Sequence, residues 1–259
     1  MNCYWKPFLG SLFSLFISGS LLPAFAQETQ ISQTFSEQQK QEIQEIIKDY
    51  LIKNPAVLIE ANEAVQEERE RRQQIQRVET EKNIAANPFN ILVGNPAGDV
   101  TIIEFFDYNC GYCRKTLADI QTVAKSDPNV KFLIHDYPVL GSRSIDASRV
   151  SLAVRLQADD KKMFEFHTKL MESKSAIDAD SAKEAAKAVG IDMQKLEADM
   201  NGDVITAALE KSQQMGRQIG LQGTPAFLIA GEIIPGAVGP DTLKEFIKNV
   251  RTCGKLICP

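Results

Sequence analysis

The chain has 259 residues and a formal net charge of −5 at pH 7, with 44% hydrophobic and 24% charged residues. This composition is ordinary for a globular protein, and the acidic balance argues against a nucleic-acid partner, which would favour a basic face. A chain of this length can bury a core of its own, so its few cysteines need not serve as a disulfide scaffold.

The first 26 residues are typical of a secretory signal peptide. Lys6 precedes an apolar stretch at 9–22, and Ala-Phe-Ala at 24–26 fits a small-residue cleavage site. A membrane anchor is disfavoured because the apolar run is shorter than the roughly 20 residues needed to span a bilayer. We therefore expect cleavage after Ala26 and export to the periplasm, where disulfides persist.

Residues 27–65 are predicted to form a helical oligomerisation segment. Ser36 and Gln39 make a capping box that begins one helix, and Asn54-Pro55 ends it and begins another. Apolar residues recur at helical spacing in both: Ile43, Ile46, Ile47, Tyr50, Leu51, Val57, Leu58, Ala61, Ala64 and Val65. Because 36–65 is too short for its own core, this stripe must pack on the main domain or on other copies. We expect a homodimer or homotrimer.

Residues 66–87 are predicted to be a charged helical linker. Between Gln66 and Gln74 there is no apolar residue, and two Glu–Arg pairs, 67/71 and 68/72, have the favourable i,i+4 spacing. We expect a solvated, stiff spacer that holds the N-terminal segment away from the main domain.

Residues 88–252 are predicted to form the main domain, of α/β class, followed by a tail at 253–259. A strand, a helix and a second strand in succession indicate a parallel β-α-β unit, and a nearly all-helical stretch covers about 143–220. The remaining predicted elements are an edge strand at 90–93, a central buried strand at 100–106, a strand at 130–134, a hairpin at 226–229 and 232–234, and a final helix from Asp241.

One cysteine pair lies where a buried strand meets a helix. Once Cys3 leaves with the signal peptide, Cys110-Gly111-Tyr112-Cys113 contains two of the four remaining cysteines. The first lies at a helix N-terminus, where free N–H groups and the macrodipole favour an anion and lower the cysteine pKa. We expect Cys110 to be the nucleophile and Cys113, one helical turn later, to resolve the mixed disulfide. Tyr112 can influence thiolate stability and partner contact.

A metal site and a structural pair are the alternatives for such a motif. Zinc needs two further ligands, but Cys253 and Cys258 are five residues apart and His135 and His167 are isolated. Cu(I) binding stays open because thiolates suit that ion. We expect no cofactor and no metal ion, and we interpret Cys253 and Cys258 as a structural disulfide, with a second redox couple as the alternative.

Two further features favour redox chemistry. Glu104 interrupts an apolar strand, where a carboxylate is costly unless it has a task or a partner; an outward-facing strand residue is the alternative. Thr224-Pro225 precedes a predicted strand, and an interior proline is disfavoured there unless its geometry is special. A cis peptide would expose backbone groups to an extended substrate segment.

Residues 105–113 (FFDYNCGYC) together with 223–227 (GTPAF) resemble the DsbA-like thioredoxin-fold family, over roughly 88–250. The resemblance implies a thioredoxin fold with a helical insertion, a cis Pro225, and Thr224-Pro225 facing the cysteine pair. It also implies that Glu104 relays a proton to or from Cys113. The dipeptide between the cysteines is Gly-Tyr, whereas strongly oxidising members have Pro-His, which leaves the redox potential open.

The N-terminal extension resembles that of ScsC-type members, which oligomerise through such a segment and act as disulfide isomerases. The leading hypothesis is therefore an oligomeric disulfide isomerase or reductase that acts on secreted proteins and is kept reduced by a DsbD-like membrane partner. One alternative is a monomeric or dimeric dithiol oxidase recharged by a DsbB-like membrane partner. The other is a Cu(I)-binding stress chaperone without turnover.

Overall fold

The computed structural model describes residues 35–259, so the predicted signal peptide lies outside the described residues. The chain divides into two compact units, one ending at Leu58 and one beginning at Ile59. Within the described range no helix combines the length and apolarity that a membrane span requires.

The first unit contains helix α1 (Glu37–Lys53) and the start of α2 (Pro55–Ala85). The predicted capping box is present: the Ser36 hydroxyl accepts from the Gln39 N–H, and the Gln39 side chain accepts from the Ser36 N–H. Asn54 separates the two helices, as the sequence predicts, and residues 35–259 bury no residue of α1.

The second unit is a five-stranded sheet flanked by helices. After α2 its elements are β1 (Ile91–Gly94), β2 (Val100–Phe106), α3 (Gly111–Ser126), β3 (Val130–Asp136), α4 (Ser142–Arg155), α5 (Asp160–Met171), α6 (Ala179–Ala188), α7 (Met193–Asp199), α8 (Asp203–Gln218), β4 (Ala226–Ile229), β5 (Glu232–Pro235) and α9 (Pro240–Cys253). The predicted helical insertion corresponds to α4 through α8.

The strand order is β1-β3-β2-β4-β5, which places β2 at the centre. Strands β2 and β3 are parallel, as the predicted β-α-β unit requires, and the other pairs are antiparallel. Along β2, Ile102 and Phe106 belong to the apolar cluster that includes α3 and α9, while Ile103 and Phe105 belong to the cluster that includes the end of α8. Alternate residues of β2 therefore face opposite layers.

The C-terminal part of α2 packs against the domain. Ile84 is fully buried, Gln74 Nε2 donates to the Ala230 carbonyl at 3.4 Å, and Glu81 Oε2 accepts from the Gly231 N–H at 2.7 Å. Gly231 has φ +75°, and a Cβ there would lie 2.6 Å from a Val78 methyl carbon. The expectation of a solvated spacer throughout 66–87 is therefore wrong from Gln74 onward. The contacts are made with a hairpin about 150 residues later, which the local sequence of the helix does not reveal.

The C-terminal tail is tied to the domain. Cys253 and Cys258 form a disulfide with a Cα–Cα distance of 5.9 Å, and Leu256 between them is buried in the main apolar cluster. Asn249 Nδ2 donates to the Leu256 carbonyl at 2.7 Å. Since Cys253 is the last residue of α9, the tail begins one residue later than the predicted boundary.

The packing of α3 against the sheet contributes to the stability of this unit. Val123 in α3 is fully buried, whereas Val204 in α8 is 62% exposed. We expect Val123→Ala to lower the free energy of unfolding by about 1.5–3 kcal/mol, since it removes buried methyl groups and leaves a cavity. Urea denaturation followed by circular dichroism measures this. Val204→Ala is the matched control and should change the free energy of unfolding by less than about 0.5 kcal/mol. Equal losses of stability in the two variants would contradict the burial of α3 in the core.

Candidate active site

Cys110 is the N-cap residue of α3. Its backbone is extended (φ −80°, ψ 111°), and its Sγ accepts a hydrogen bond from the Cys113 N–H at 3.2 Å. The sulfur thus occupies the position where a Ser or Asp oxygen normally satisfies the free N–H groups of a first helical turn. A negative charge on this sulfur is favoured by those groups and by the helix dipole.

The surroundings lower the pKa of Cys110 to about 6. The hydrogen bond with the Cys113 thiol contributes most, and burial opposes it. The N–H groups of Cys113 and Tyr112 lower the pKa further. A thiol with such a pKa is mostly thiolate at neutral pH, and the thiolate is the reactive nucleophile.

Cys113 lies directly behind Cys110, and its environment has the opposite effect. Its side chain is buried, and burial raises the pKa of this thiol far above its ordinary value. The Cys110 sulfur and the Glu104 carboxylate raise it further. The reduced pair therefore holds one anion, on Cys110, and one proton, on Cys113.

Glu104 lies on β2 and faces α3. It is 2% exposed, which excludes the outward-facing alternative, and its Oε1 accepts a hydrogen bond from the Thr116 hydroxyl. Burial raises the pKa of Glu104 to about 8, the Thr116 hydrogen bond opposes this, and the charge of Cys110 adds to it. Glu104 therefore carries a proton at neutral pH in the reduced protein.

The Thr224–Pro225 loop borders the sulfur of Cys110. The peptide bond is cis, the form that the resemblance implies, and the Thr224 carbonyl oxygen lies 3.3 Å from Cys110 Sγ. The Pro225 carbonyl accepts from the Gly236 N–H at 2.8 Å, while Ala226 begins the paired strand β4. Backbone hydrogen bonds at Pro225 and along β4 therefore hold the C-terminal end of this loop on the sheet.

The dipeptide between the cysteines forms the open side of the site. Tyr112 is 63% exposed, and the Lys115 ammonium nitrogen lies 5.3 Å from the centre of its ring. A Cβ placed on Gly111 would meet no atom within 4 Å. Another protein can therefore approach Cys110 from this side.

Asp107 and Asn109, whose roles the sequence analysis missed, hold the loop before Cys110. The Asp107 carboxylate accepts from the Asn109 N–H and from the N–H groups of Val139 and Leu140, at 2.8–2.9 Å. The Asn109 side chain exchanges two hydrogen bonds with the backbone of Ile177 in the insertion, both at 2.8 Å. The Asp-x-Asn spacing is a signal for the first contact, since an Asp side chain commonly binds the N–H two residues on.

The two histidines bond with other residues: His135 Nδ1 lies 2.8 Å from Asn90 Oδ1, and His167 Nδ1 lies 3.4 Å from the Tyr108 hydroxyl. His135 and His167 are buried, and burial lowers their pKa values to about 4 and about 3. Among residues 35–259, no group of three or more His, Cys, Asp or Glu side chains is arranged to hold a metal ion.

The bonded pair at Cys253 and Cys258 lies at the far end of α3 from Cys110. Arg251, two residues before Cys253, forms an ion pair with Asp127, the C-cap of α3. Since α3 has 16 residues, it is about 24 Å long at 1.5 Å per residue. The structure thus brings Cys110, Cys113, Glu104, Thr224 and Pro225 together and leaves the second cysteine pair outside.

Comparison with known proteins matches two parts of the chain to two families. Residues 101–248 match the family described as DSBA-like thioredoxin domain. The chain belongs to the DsbA-like thioredoxin family. Residues 39–72 match a second family, described as the copper resistance protein ScsC N-terminal domain.

Individual relatives agree with this assignment. Disulfide bond formation protein D of Bacillus subtilis is 25% identical over 171 residues, which are 61% of this chain and 75% of that protein. A thioredoxin-like oxidoreductase from Silicibacter pomeroyi is 35% identical with a TM-score of 0.61, covering 66% of this chain and 96% of its own. A linker-deletion variant of ScsC from Proteus mirabilis is 26% identical with a TM-score of 0.62, covering 85% and 99%.

This DsbA-like protein is a thiol:disulfide oxidoreductase. Its thioredoxin fold carries the helical insertion that the sequence predicts, and the ScsC-like match lies on α1 and α2. The resemblance described from the sequence is confirmed in both parts.

The pKa of Cys110 gives a direct test of the site. Because only the thiolate reacts, we expect the alkylation rate of the reduced protein to rise with pH through about 6 and then level off. About nine-tenths of the thiol would be ionised at pH 7, against about 3% for an ordinary cysteine. Thiolate ultraviolet absorbance and iodoacetamide rates, measured across pH 4–9, should give the same midpoint.

Cys113→Ala is the control for the cause of this shift. It keeps the helix start but removes the thiol that lowers the pKa of Cys110 most, so its titration midpoint should move upward. A midpoint near 8.5 in the unmodified protein, the ordinary cysteine value, would contradict the proposed activation.

Proposed function

We propose that Cys110 is the nucleophile of this oxidoreductase, Cys113 its resolving thiol and Glu104 the group that exchanges a proton with Cys113. The observation that carries the proposal is the N-cap hydrogen bond from the Cys113 N–H to Cys110 Sγ at 3.2 Å. It places a sulfur anion at the start of a helix, beside a loop with a cis-proline.

In the first step the Cys110 thiolate attacks one sulfur of a substrate disulfide. The substrate S–S bond breaks, a mixed disulfide with Cys110 forms, and the second substrate sulfur leaves as a thiolate, which either reacts further or takes a proton from water. Thr224 borders the attacking sulfur at 3.3 Å, so a substrate segment lying along this loop brings its disulfide to Cys110. No electrons are lost or gained overall in this exchange.

The second step depends on the charge that the first step removes. Once Cys110 is in a mixed disulfide it is no longer an anion, and one cause of the raised pKa of Glu104 disappears. Glu104 then releases its own proton to solvent, and its carboxylate takes the proton of Cys113. The Cys113 thiolate attacks Cys110 Sγ, and the substrate sulfur bonded to Cys110 leaves as a thiolate that takes a proton from water. This releases a reduced substrate and leaves a Cys110–Cys113 disulfide.

Isomerisation results when the freed substrate thiolate reacts before Cys113 attacks the mixed disulfide. The freed substrate thiolate attacks another disulfide of the same protein, a substrate thiolate then displaces Cys110, and the enzyme returns to its dithiol form without a net electron change. We propose this as the main activity, in the periplasm, with a DsbD-like membrane partner restoring any oxidised enzyme. The ScsC-like N-terminal segment supports the proposal.

The oxidase alternative also has a specific observation in its favour. A lowered Cys110 pKa of about 6 stabilises the dithiol relative to the disulfide and makes the disulfide more oxidising. A DsbB-like membrane partner would then recharge it. The redox state of Cys110 in cells separates the two: mainly reduced for an isomerase, mainly oxidised for an oxidase.

Refolding of scrambled ribonuclease tests the isomerase proposal. We expect the reduced protein to restore ribonuclease activity and Cys110→Ala to lose essentially all of this effect, because the mixed disulfide cannot form. A Cys253→Ala/Cys258→Ala variant is the control, since we propose that this bonded pair is structural, fixing the tail around buried Leu256. An inactive wild type, together with rapid oxidation of reduced ribonuclease, would instead establish the oxidase.

We further propose that α1 and the start of α2 assemble copies of the chain into a dimer or trimer. The stripe on α1 is exposed in the single chain: Ile43 38%, Ile46 67%, Ile47 52% and Tyr50 54%. Since exposed apolar stripes of this kind mark interaction surfaces, and the stripe has no covering partner among residues 35–259, a second copy of the same helix is the proposed cover. An oligomer would present several Cys110 thiolates to one substrate.

A charge on this stripe should break the assembly. We expect Ile46→Lys to convert the oligomer to a monomer in light scattering, because burying an unpaired ammonium group is costly. Gln41→Lys adds the same charge on the opposite side of α1, where the residue is exposed, and should leave the mass unchanged. A monomeric wild type would refute the proposed assembly while leaving the thiol chemistry intact.

A further inference from the structure

A groove of about 720 Å³ continues from the Thr224–Pro225 loop. One wall is α2, another is the end of α8 with the loop that follows it, and the third is the end of β5. The volume is within the range of ligand-binding clefts, about 300–1,000 Å³. The steps described above use only the loop and assign no role to the rest of the groove.

The charge of this groove differs from that of the whole chain. The lining includes two arginines, Arg77 on α2 and Arg217 at the end of α8, and no acidic side chain, although the net charge of the chain is −5. Neither arginine forms an ion pair with any residue of 35–259. By contrast, Arg251 is held by Asp99 and Asp127.

Arg77 also has a donor that the described residues leave unused. Its Nε is buried and has no hydrogen-bond partner within them, and such a group gains free energy when an acceptor arrives. A guanidinium matches a carboxylate through two parallel N–H···O bonds. The remaining polar lining is largely glutamine, including Gln73 and Gln76, whose amides can pair with a peptide backbone.

We propose that Arg77 and Arg217 are specific to the substrate choice of this chain: among substrate segments that lie along the groove beside the reacting cysteine, they select those with an acidic side chain close to that cysteine. The inference rests on the proposed role of Cys110, because Thr224 is both a lining residue and the neighbour of its sulfur. An extended segment advances about 3.3–3.6 Å per residue, so the acidic residue lies within a few positions of the cysteine. The arginines are specificity-determining residues and do not touch the reacting sulfurs.

Two peptides test this selectivity. Each carries one cysteine in a disulfide with a fluorescence-quenching thiol, and they differ only in having Glu or Gln at the positions two residues before and after the cysteine. Attack by the Cys110 thiolate forms the mixed disulfide with the peptide and releases the quenching thiol. The measurement is the second-order rate constant for the reduced full-length protein with each peptide, and the readout is the Glu/Gln ratio of the two.

We expect the ratio of the wild type to be about three to ten times that of the Arg77→Gln/Arg217→Gln variant, the range expected for one or two partly exposed charge pairs. Raising the salt concentration should reduce the wild-type ratio toward the variant value. Lys211→Gln, an exposed position on α8, removes the same charge outside the groove and should keep the wild-type ratio. A change in the reactivity of Cys110 alters the rate constants for both peptides by the same factor, so it leaves the Glu/Gln ratio unchanged.

The single variant Arg217→Gln replaces the double variant if the latter does not fold, because Arg217 is exposed at the end of α8. A ratio that is the same in the wild type and in the arginine variants would overturn the inference while leaving thiol exchange established. Failure of both peptides to react with the wild type would overturn the proposed role of Cys110 itself.

Discussion

The position of Cys110 at the N-cap of α3 is the constraint on which the chemistry depends, because it brings both the thiol and the N–H group of Cys113 to Cys110 Sγ. Only the short loop 107–109 separates this N-cap from the end of the central strand β2. The parallel pairing of β2 with β3 and the burial of α3 beneath the sheet fix where that helix begins. A fold that could not hold this helix start rigidly would leave an ordinary thiol in its place.

Of the three titratable groups of the site, only Cys110 is ionised at neutral pH in the reduced protein. Cys110 is anionic because the Cys113 thiol and the N–H groups at the start of α3 lower its pKa, while Cys113 and Glu104 hold protons because they are buried. A second negative charge in this volume would have to overcome both desolvation and repulsion. In the proposed mechanism this single charge passes from Cys110 to Glu104 and Cys113 as disulfides form and break, which couples proton movement to sulfur chemistry.

Local patterns in the sequence predict the parts of this protein that depend on neighbouring residues. The capping box at Ser36, the Asn54-Pro55 break and the strand–CxxC–helix unit all follow from residues within one or two helical turns. Long-range contacts were not predictable in this way. The packing of Gln74 and Glu81 on the β4–β5 turn joins residues about 150 positions apart, and no periodicity in a charged helix reveals its partner.

The same reason explains which parts of the site were found. Cys110 and Cys113 are close in sequence, and the Thr-Pro dipeptide has a recognisable composition, so both were available to sequence reasoning. The support that Asn109 gives to Cys110 comes from the backbone of Ile177, deep in the insertion. Likewise, Arg77 and Arg217 line one groove only because the C-terminal part of α2 packs against the domain.

The turn between β4 and β5 places an unusual demand on one position. Gly231 needs its positive φ, and it also lies so close to α2 that a single added carbon would collide with Val78. Any other amino acid at 231 would meet the side chains of Gln74 and Val78 on α2, the helix that also carries Arg77. A methyl group at 231 would therefore press on the helix that forms one wall of the groove proposed to bind client proteins, without adding an atom beside Cys110 or Cys113.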